Sequence, residues 1–129
     1  MDGSELLSDA DREFIHDIAI RTKAENKREA AKVAGRLESA RIEARSLALG
    51  LSADPEVKRV FFFGSARTGR GFRLDSDIDL AVEGGDILSH IGLVEVSAFS
   101  VDVVDFLALP ALFRASVESE GELLYAKRG

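Results

Sequence analysis

Asp77 and Asp79 stand two residues apart where an apolar run begins, Ile78 to Glu83, that reads as a β-strand. Alternation along a strand sends both carboxylates off one face while Ile78, Leu80 and Val82 take the other. Two carboxylates about 6–7 Å apart along a strand can grip a hard cation between them. Oxygen-only ligands suit Mg²⁺ or Mn²⁺, and Mg²⁺ normally shares its shell with substrate phosphates. Without a cation the pair repels, by roughly 3 kcal/mol at about 5 Å and an effective dielectric constant of about 20. Upstream, Gly64 and Ser65 end another apolar run, Val57–Phe63. A glycine there lets backbone N–H groups approach a phosphate, a helix starting there aims its positive dipole end at the same point, and Ser65 adds a hydroxyl.

A two-metal site wants a third carboxylate from a neighbouring strand. The run Val101-Asp102-Val103-Val104-Asp105-Phe106 offers two of opposite parity, so only one of Asp102 and Asp105 can face the pair, and the spacing leaves the choice open. Arg67, Arg70 and Arg73 in the loop after Gly64 either meet phosphates or solvate the loop. Ser76 sits where it shapes the turn into the strand. Glu83 shares the parity of Asp79 but lies about 13 Å further along, too far to be a ligand. His16 and His90 fall in helical segments without a paired nucleophile, Phe61–Phe63 reads as core, and Gly84-Gly85-Asp86 reads as a turn and helix cap. A solvated strand face or a capping pair is the bland account of Asp77 and Asp79; the glycine loop beside them weighs against it.

The elements that must position these groups follow from periodicity. Ser8 starts a helical stretch with Asp9, Asp11 and Glu13 near the positive dipole end. It runs without proline to about Gly50, with Gly35 as its interior glycine. Apolar residues recur at Phe14, Ile15, Ile18, then Val33, Leu37, Leu47, Ala48 and Leu51, whereas Arg21–Lys32 is charged and alanine-rich. One helix over 8–50 would be about 65 Å long, so it either breaks near Gly35 or extends an N-terminal arm that packs on another chain. After a turn at Ser52–Pro55 come strands at Val57–Phe63, Ile78–Glu83, Ser100–Phe106 and Glu122–Ala126, with helices at Asp86–Val94 and Leu109–Ser119 and a helical turn after Gly64. The order predicts a small α/β domain, residues 53–129, with a mixed sheet and flanking helices, preceded by a long helical arm over 1–52.

Composition narrows the chemistry. The 129 residues are 46% apolar and 31% charged, enough for one packed domain. The absence of cysteine excludes a disulfide scaffold, a thiol nucleophile and Cys-ligated metal. Residues 1–20 carry six acids against one arginine, 21–45 eight bases against four acids, and 46–129 thirteen acids against eight bases. The net charge of −6 predicts no broad DNA-binding surface. The acidic start does not resemble a signal peptide and no apolar run approaches a membrane span, so a cytoplasmic location is expected.

Gly64-Ser65 followed by Ser76-Asp77-Ile78-Asp79-Leu80 resembles the nucleotidyltransferase fold shared with DNA polymerase beta. More narrowly, the chain is similar to the minimal nucleotidyltransferases (MNT proteins), the small partners of HEPN proteins. Val101–Asp105 resembles that family's third strand and Glu120-Gly121-Glu122-Leu123-Leu124-Tyr125 its closing segment, so the likeness covers residues 53–126. The resemblance implies a polymerase beta palm-like sheet, with Asp77, Asp79 and Asp102 as catalytic metal ligands for two Mg²⁺ ions and Mn²⁺ as a substitute. It further implies that Gly64, Ser65, Arg67 and Ser76 hold the nucleotide and that ATP is the donor. The family's usual loop has an arginine directly after Gly-Ser; here Ala66 stands there and Arg67 follows, which leaves open which arginine meets phosphate. No acceptor-holding segment is expected after residue 126, so the acceptor is expected to be held by another subunit or by the N-terminal arm, or to be a protein itself; the resemblance implies the last, a tyrosine of a HEPN-type partner in a toxin–antitoxin pair. The rival expectations are a non-catalytic antitoxin that acts by contact, and a small-molecule nucleotidyltransferase working as a homo-oligomer.

Overall fold

The structure, a computed structural model, describes residues 7–128. Residues 1–6 of the expected arm lie outside the described residues. The elements are α1 (Asp9–Leu51), β1 (Arg59–Phe63), α2 (Ser65–Thr68), β2 (Ile78–Glu83), α3 (Ile87–Val94), β3 (Val101–Asp105), a 3-10 turn (Phe106–Ala108), α4 (Ala111–Glu120) and β4 (Glu122–Ala126).

Helix α1 opens with a reciprocal capping box. The Ser8 N–H donates to Asp11 Oδ2 at 3.1 Å and the Asp11 N–H donates to Ser8 Oγ at 3.0 Å. The helix then passes through Gly35 without the break that was one of two expectations. A glycine costs about 1 kcal/mol in a helix, and the alanines, glutamates and lysines around it offset that. Two compact units divide the chain, Met1–Ala34 and Gly35–Gly129. The sequence sets the end of the arm at residue 52 by periodicity, whereas these units are divided by compactness. Ala40, Ala44, Leu47, Ala48 and Leu51 are all buried, so the last turns of α1 belong to the unit that holds the sheet. In the first unit every described residue is exposed except Ala24 and Val33, which are partly covered.

The sheet has the order β3-β2-β1-β4 and is mixed: β1 is antiparallel to β2 and β4, while β2 and β3 are parallel. A parallel pair needs a crossover, and α3 supplies it. Asp86 caps α3, its Oδ1 accepting the Leu88 N–H at 3.2 Å. One face of the sheet presents Phe61, Phe63 and Ala81, against which Phe106, Leu109 and Val117 pack, with the Phe61 and Phe106 rings stacked at 4.9 Å. The alternate residues Val60, Phe62, Leu80 and Val82 are also buried, so β1 and β2 are covered on both sides as a continuous apolar run requires. Each such side chain contributes roughly 1.5–3 kcal/mol by leaving water.

Strand β1 starts at Arg59 rather than Val57, because the Val57 N–H still closes a turn on Asp54 O at 3.1 Å. Strand β3 ends at Asp105, whose carboxylate caps the 3-10 turn by accepting the Leu107 N–H at 3.1 Å. No helix among the described residues is long and apolar enough to cross a membrane.

Candidate active site

The register of the sheet assembles the acidic cluster. Asp79 lies opposite Phe63 of β1 on one side and opposite Asp102 of β3 on the other. Partners in register point to the same face, so Asp79 and Asp102 stand together on the face that carries Phe61 and Phe63. Asp105 pairs instead with Val82 and spends its carboxylate on the 3-10 turn. The choice that parity left open is thus made by register. Asp79 is half-buried, and its carboxyl is pushed up to about 6 from an ordinary value of 3.8, first by burial and then by the charges of Asp102 and Asp77. Among the described residues no cationic side chain is placed to relieve Asp79.

Gly64 closes the site from the β1 side. It has φ +81°, and a Cβ there would lie 2.2 Å from Asp79 Oδ2. Only glycine allows both the left-handed backbone and the approach of the chain to that carboxylate. The single turn α2 begins directly after it, with no side chain capping its first turn. Its far end is tied down by a residue that the sequence reading overlooked. Arg41 on α1 donates from Nε to Ala66 O at 3.2 Å and from Nη2 to Arg67 O at 3.0 Å. The available signal was an arginine at helical spacing from Leu37, Ala44 and Ala48, a charge beside an otherwise apolar stripe.

The remaining expected residues divide. Ser65 and Ser76 are partly covered, and Ser76 Oγ accepts the Arg73 N–H at 2.8 Å, so it shapes the turn before β2. Arg67 faces Glu122 of β4, Nε to Oε2 at 3.8 Å, while Arg70 and Arg73 are exposed. Glu83, at the other end of β2, is bonded to Arg59, and His90 is buried with Nε2 3.6 Å from Asp54 Oδ2. Both are removed from the acidic cluster. A cavity of about 250 Å³ opens beside Gly64, lined among others by Phe63, Thr68, Phe113, Ser116 and Glu120.

Among the described residues no three His, Cys, Asp or Glu side chains are already gathered into a metal cage. The donor chemistry nevertheless fits a hard divalent cation: oxygen-only, negative and half-buried, with part of the shell left for a substrate's phosphate oxygens.

The family model described as nucleotidyltransferase domain matches residues 44–121, more than half of the chain. No curated protein matches it. Among solved structures, the chain is similar to a toxin–antitoxin crystal structure with AMP-PNP, at 26% identity and a TM-score of 0.53 over 65% of this chain and 74% of that one. It is also similar to a toxin–antitoxin MntA–HepT structure, at 22% identity and a TM-score of 0.48 over 65% and 71% of the two chains. A third is a tri-AMPylated Shewanella oneidensis HEPN toxin in complex with MNT antitoxin, at 21% identity and a TM-score of 0.47 over 70% and 73%.

Proposed function

The chain belongs to the nucleotidyltransferase domain family, and we propose that it transfers NMP, with ATP as donor, to a hydroxyl of a partner protein in a toxin–antitoxin pair. The observation that carries the chemistry is the register that sets Asp102 beside Asp79, with the Gly64 turn pressed against the same carboxylate. Mutually repelling acids without a cationic partner have no use in a purely structural face, and a contact-only antitoxin would gain nothing from them. The donor and the partner are supported by the likeness to a toxin–antitoxin structure with AMP-PNP and by the resemblance to MNT proteins, which favours a tyrosine of a HEPN-type protein as acceptor.

Asp77, Asp79 and Asp102 would hold Mg²⁺, which when bound lowers the acceptor's pKa and neutralises charge on the triphosphate. The chain's own residues do the rest. The Gly64–Ser65 turn and the first N–H groups of α2 receive the phosphates, with Arg41 fixing that turn from behind. Arg67, released from Glu122, adds a positive charge there, and Ser76 holds the loop that brings Asp77 to the strand end. The acceptor oxygen attacks the α-phosphorus in line. The bond to the bridging oxygen breaks, pyrophosphate departs, and the acceptor's proton passes to Asp102 and then to water. Positioning and electrostatics supply most of the acceleration.

The test is label transfer from α-phosphate-labelled ATP with Mg²⁺ in lysate of the source cells, wild type beside Asp77→Ala. A labelled protein present only with wild type is the expected result, and its mass identifies the partner. A labelled small molecule or RNA would replace the acceptor. Absence of both label and nucleotide binding would overturn the enzymatic reading in favour of neutralisation by contact.

A further inference from the structure

Five large apolar side chains are exposed among the described residues of the first unit, and three of them, Phe14, Ile15 and Ile18 (62%, 53% and 43% exposed), share one side of α1, with Ile20 on the other. The spacing of those three falls into a heptad seam in which Asp11 and Ile18 occupy one core position, Phe14 and Arg21 the other, and Ile15 flanks them. A seam that runs acid, apolar, apolar, base has a direction. Laid parallel on a second copy, it sets Asp11 on Asp11 and Arg21 on Arg21. Laid antiparallel, with the two-fold level with His16, it sets Asp11 against the second copy's Arg21 at both ends and Phe14 against Ile18 in both central layers. The same register brings the two Ile15 side chains together. The wider charge pattern agrees in balance: over residues 9–17 four acids, Asp9, Asp11, Glu13 and Asp17, stand against Arg12, and over residues 21–29 four bases, Arg21, Lys23, Lys27 and Arg28, stand against Glu25 and Glu29. Antiparallel apposition therefore matches opposite charge along the overlap.

We propose that Asp11–Arg21 of α1 is a self-association surface, which pairs antiparallel with the same segment of a second copy of this chain. The contact is short, so the dimer is concentration-dependent, and its ion pairs make it salt-sensitive. The catalytic reading plays no part in it.

Sedimentation of the full chain between about 5 and 500 µM reads the association. Wild type is expected to shift from monomer to dimer in that range. Ile18→Asp, at an exposed helix position, should remain monomeric with unchanged helix content. Arg21→Glu and Asp11→Lys should each raise the dissociation constant by about tenfold or more, because each places like charges in both end layers. Mixed together, they should regain the wild-type dimer, since each heterodimer restores two opposite-charge pairs. A chain that stays monomeric at 500 µM would overturn the proposal and leave a different protein as the occupant. A dimer insensitive to these changes would overturn it by placing the contact elsewhere. Direction is read with single cysteines in this cysteine-free chain. Ile15→Cys should cross-link and Glu25→Cys should not; a parallel pair would reverse that result.

Discussion

Strand β2 carries two acids on one face, four residues apart, and the molecule treats them in opposite ways. Glu83 at the C-terminal end lies in register with Arg59 and is bonded to it, and Arg59 also reaches Glu118 at 3.7 Å. Asp79 at the N-terminal end lies in register with a phenylalanine and with another aspartate. The first end is neutralised by the fold itself. The second is left negative, half-buried and raised in pKa. An acid that serves the fold is given its cation in the sequence; an acid kept without one fits the proposed function, in which a cation or a substrate arrives later.

The sharpest way to break this contrast is to neutralise each acid in turn. Asp79→Asn should lower nucleotidyl transfer by about a thousandfold or more, whereas Glu83→Gln should leave transfer within a few-fold and cost about 1–2 kcal/mol of stability by urea unfolding. Retained transfer in Asp79→Asn would remove the functional half of the comparison.

The glycines at the two ends extend it. Both have positive φ, and a Cβ would meet an oxygen at 2.2 Å in each case: Asp79 Oδ2 at Gly64 and the backbone Glu56 O at Gly84. A backbone oxygen cannot turn aside, so Gly84→Ala should cost about 3 kcal/mol or more. Gly64→Ala should cost less, about 1–2 kcal/mol, yet reduce transfer about a hundredfold because Asp79 is displaced. Thermal unfolding beside an activity assay separates the two.

A pH series sharpens the electrostatic half. Because the folded-state pKa of Asp79 is raised to about 6 from 3.8, the native state holds that proton more tightly than the unfolded chain. The resulting stability is present below about pH 3.8 and is lost as pH rises through about 6. In cation-free buffer the loss should be on the order of 1–2 kcal/mol after solvent screening, and Asp79→Asn should flatten that part of the curve. The smallest effect is expected at Arg41→Gln. With the carbonyls of Ala66 and Arg67 released, nucleotide affinity should fall about three- to tenfold, while stability changes by about 1 kcal/mol.

Much of this is legible in the sequence. Strands Ile78–Glu83 and Glu122–Ala126 occupy the residues expected, Asp86 caps α3, and one helical turn follows Gly64. These features are set by local alternation and capping chemistry, which a sequence displays. Three things are not. Asp102 was separated from Asp105 only by parallel register, a property of two strands rather than one. Arg41 acts on carbonyls 25 and 26 residues away, and helical spacing marks it as a charge beside an apolar stripe without naming its partners. The division at Ala34 was hidden because α1 keeps its helical pattern through Gly35, and burial alone changes there.

The registers also carry a kinetic consequence. Phe63 meets Asp79 after 16 residues of chain, Asp79 meets Asp102 after 23, and Phe62 meets Glu122 only after 60. Closing the longest of these loops costs about 1 kcal/mol more chain entropy than closing the shortest. The order of assembly should follow, with the β1–β2 pair zipping first and β4 docking last. In amide exchange the Gly64 end of β1 would then be protected early in refolding and Glu122 late, so the acids are already crowded together before the sheet is complete.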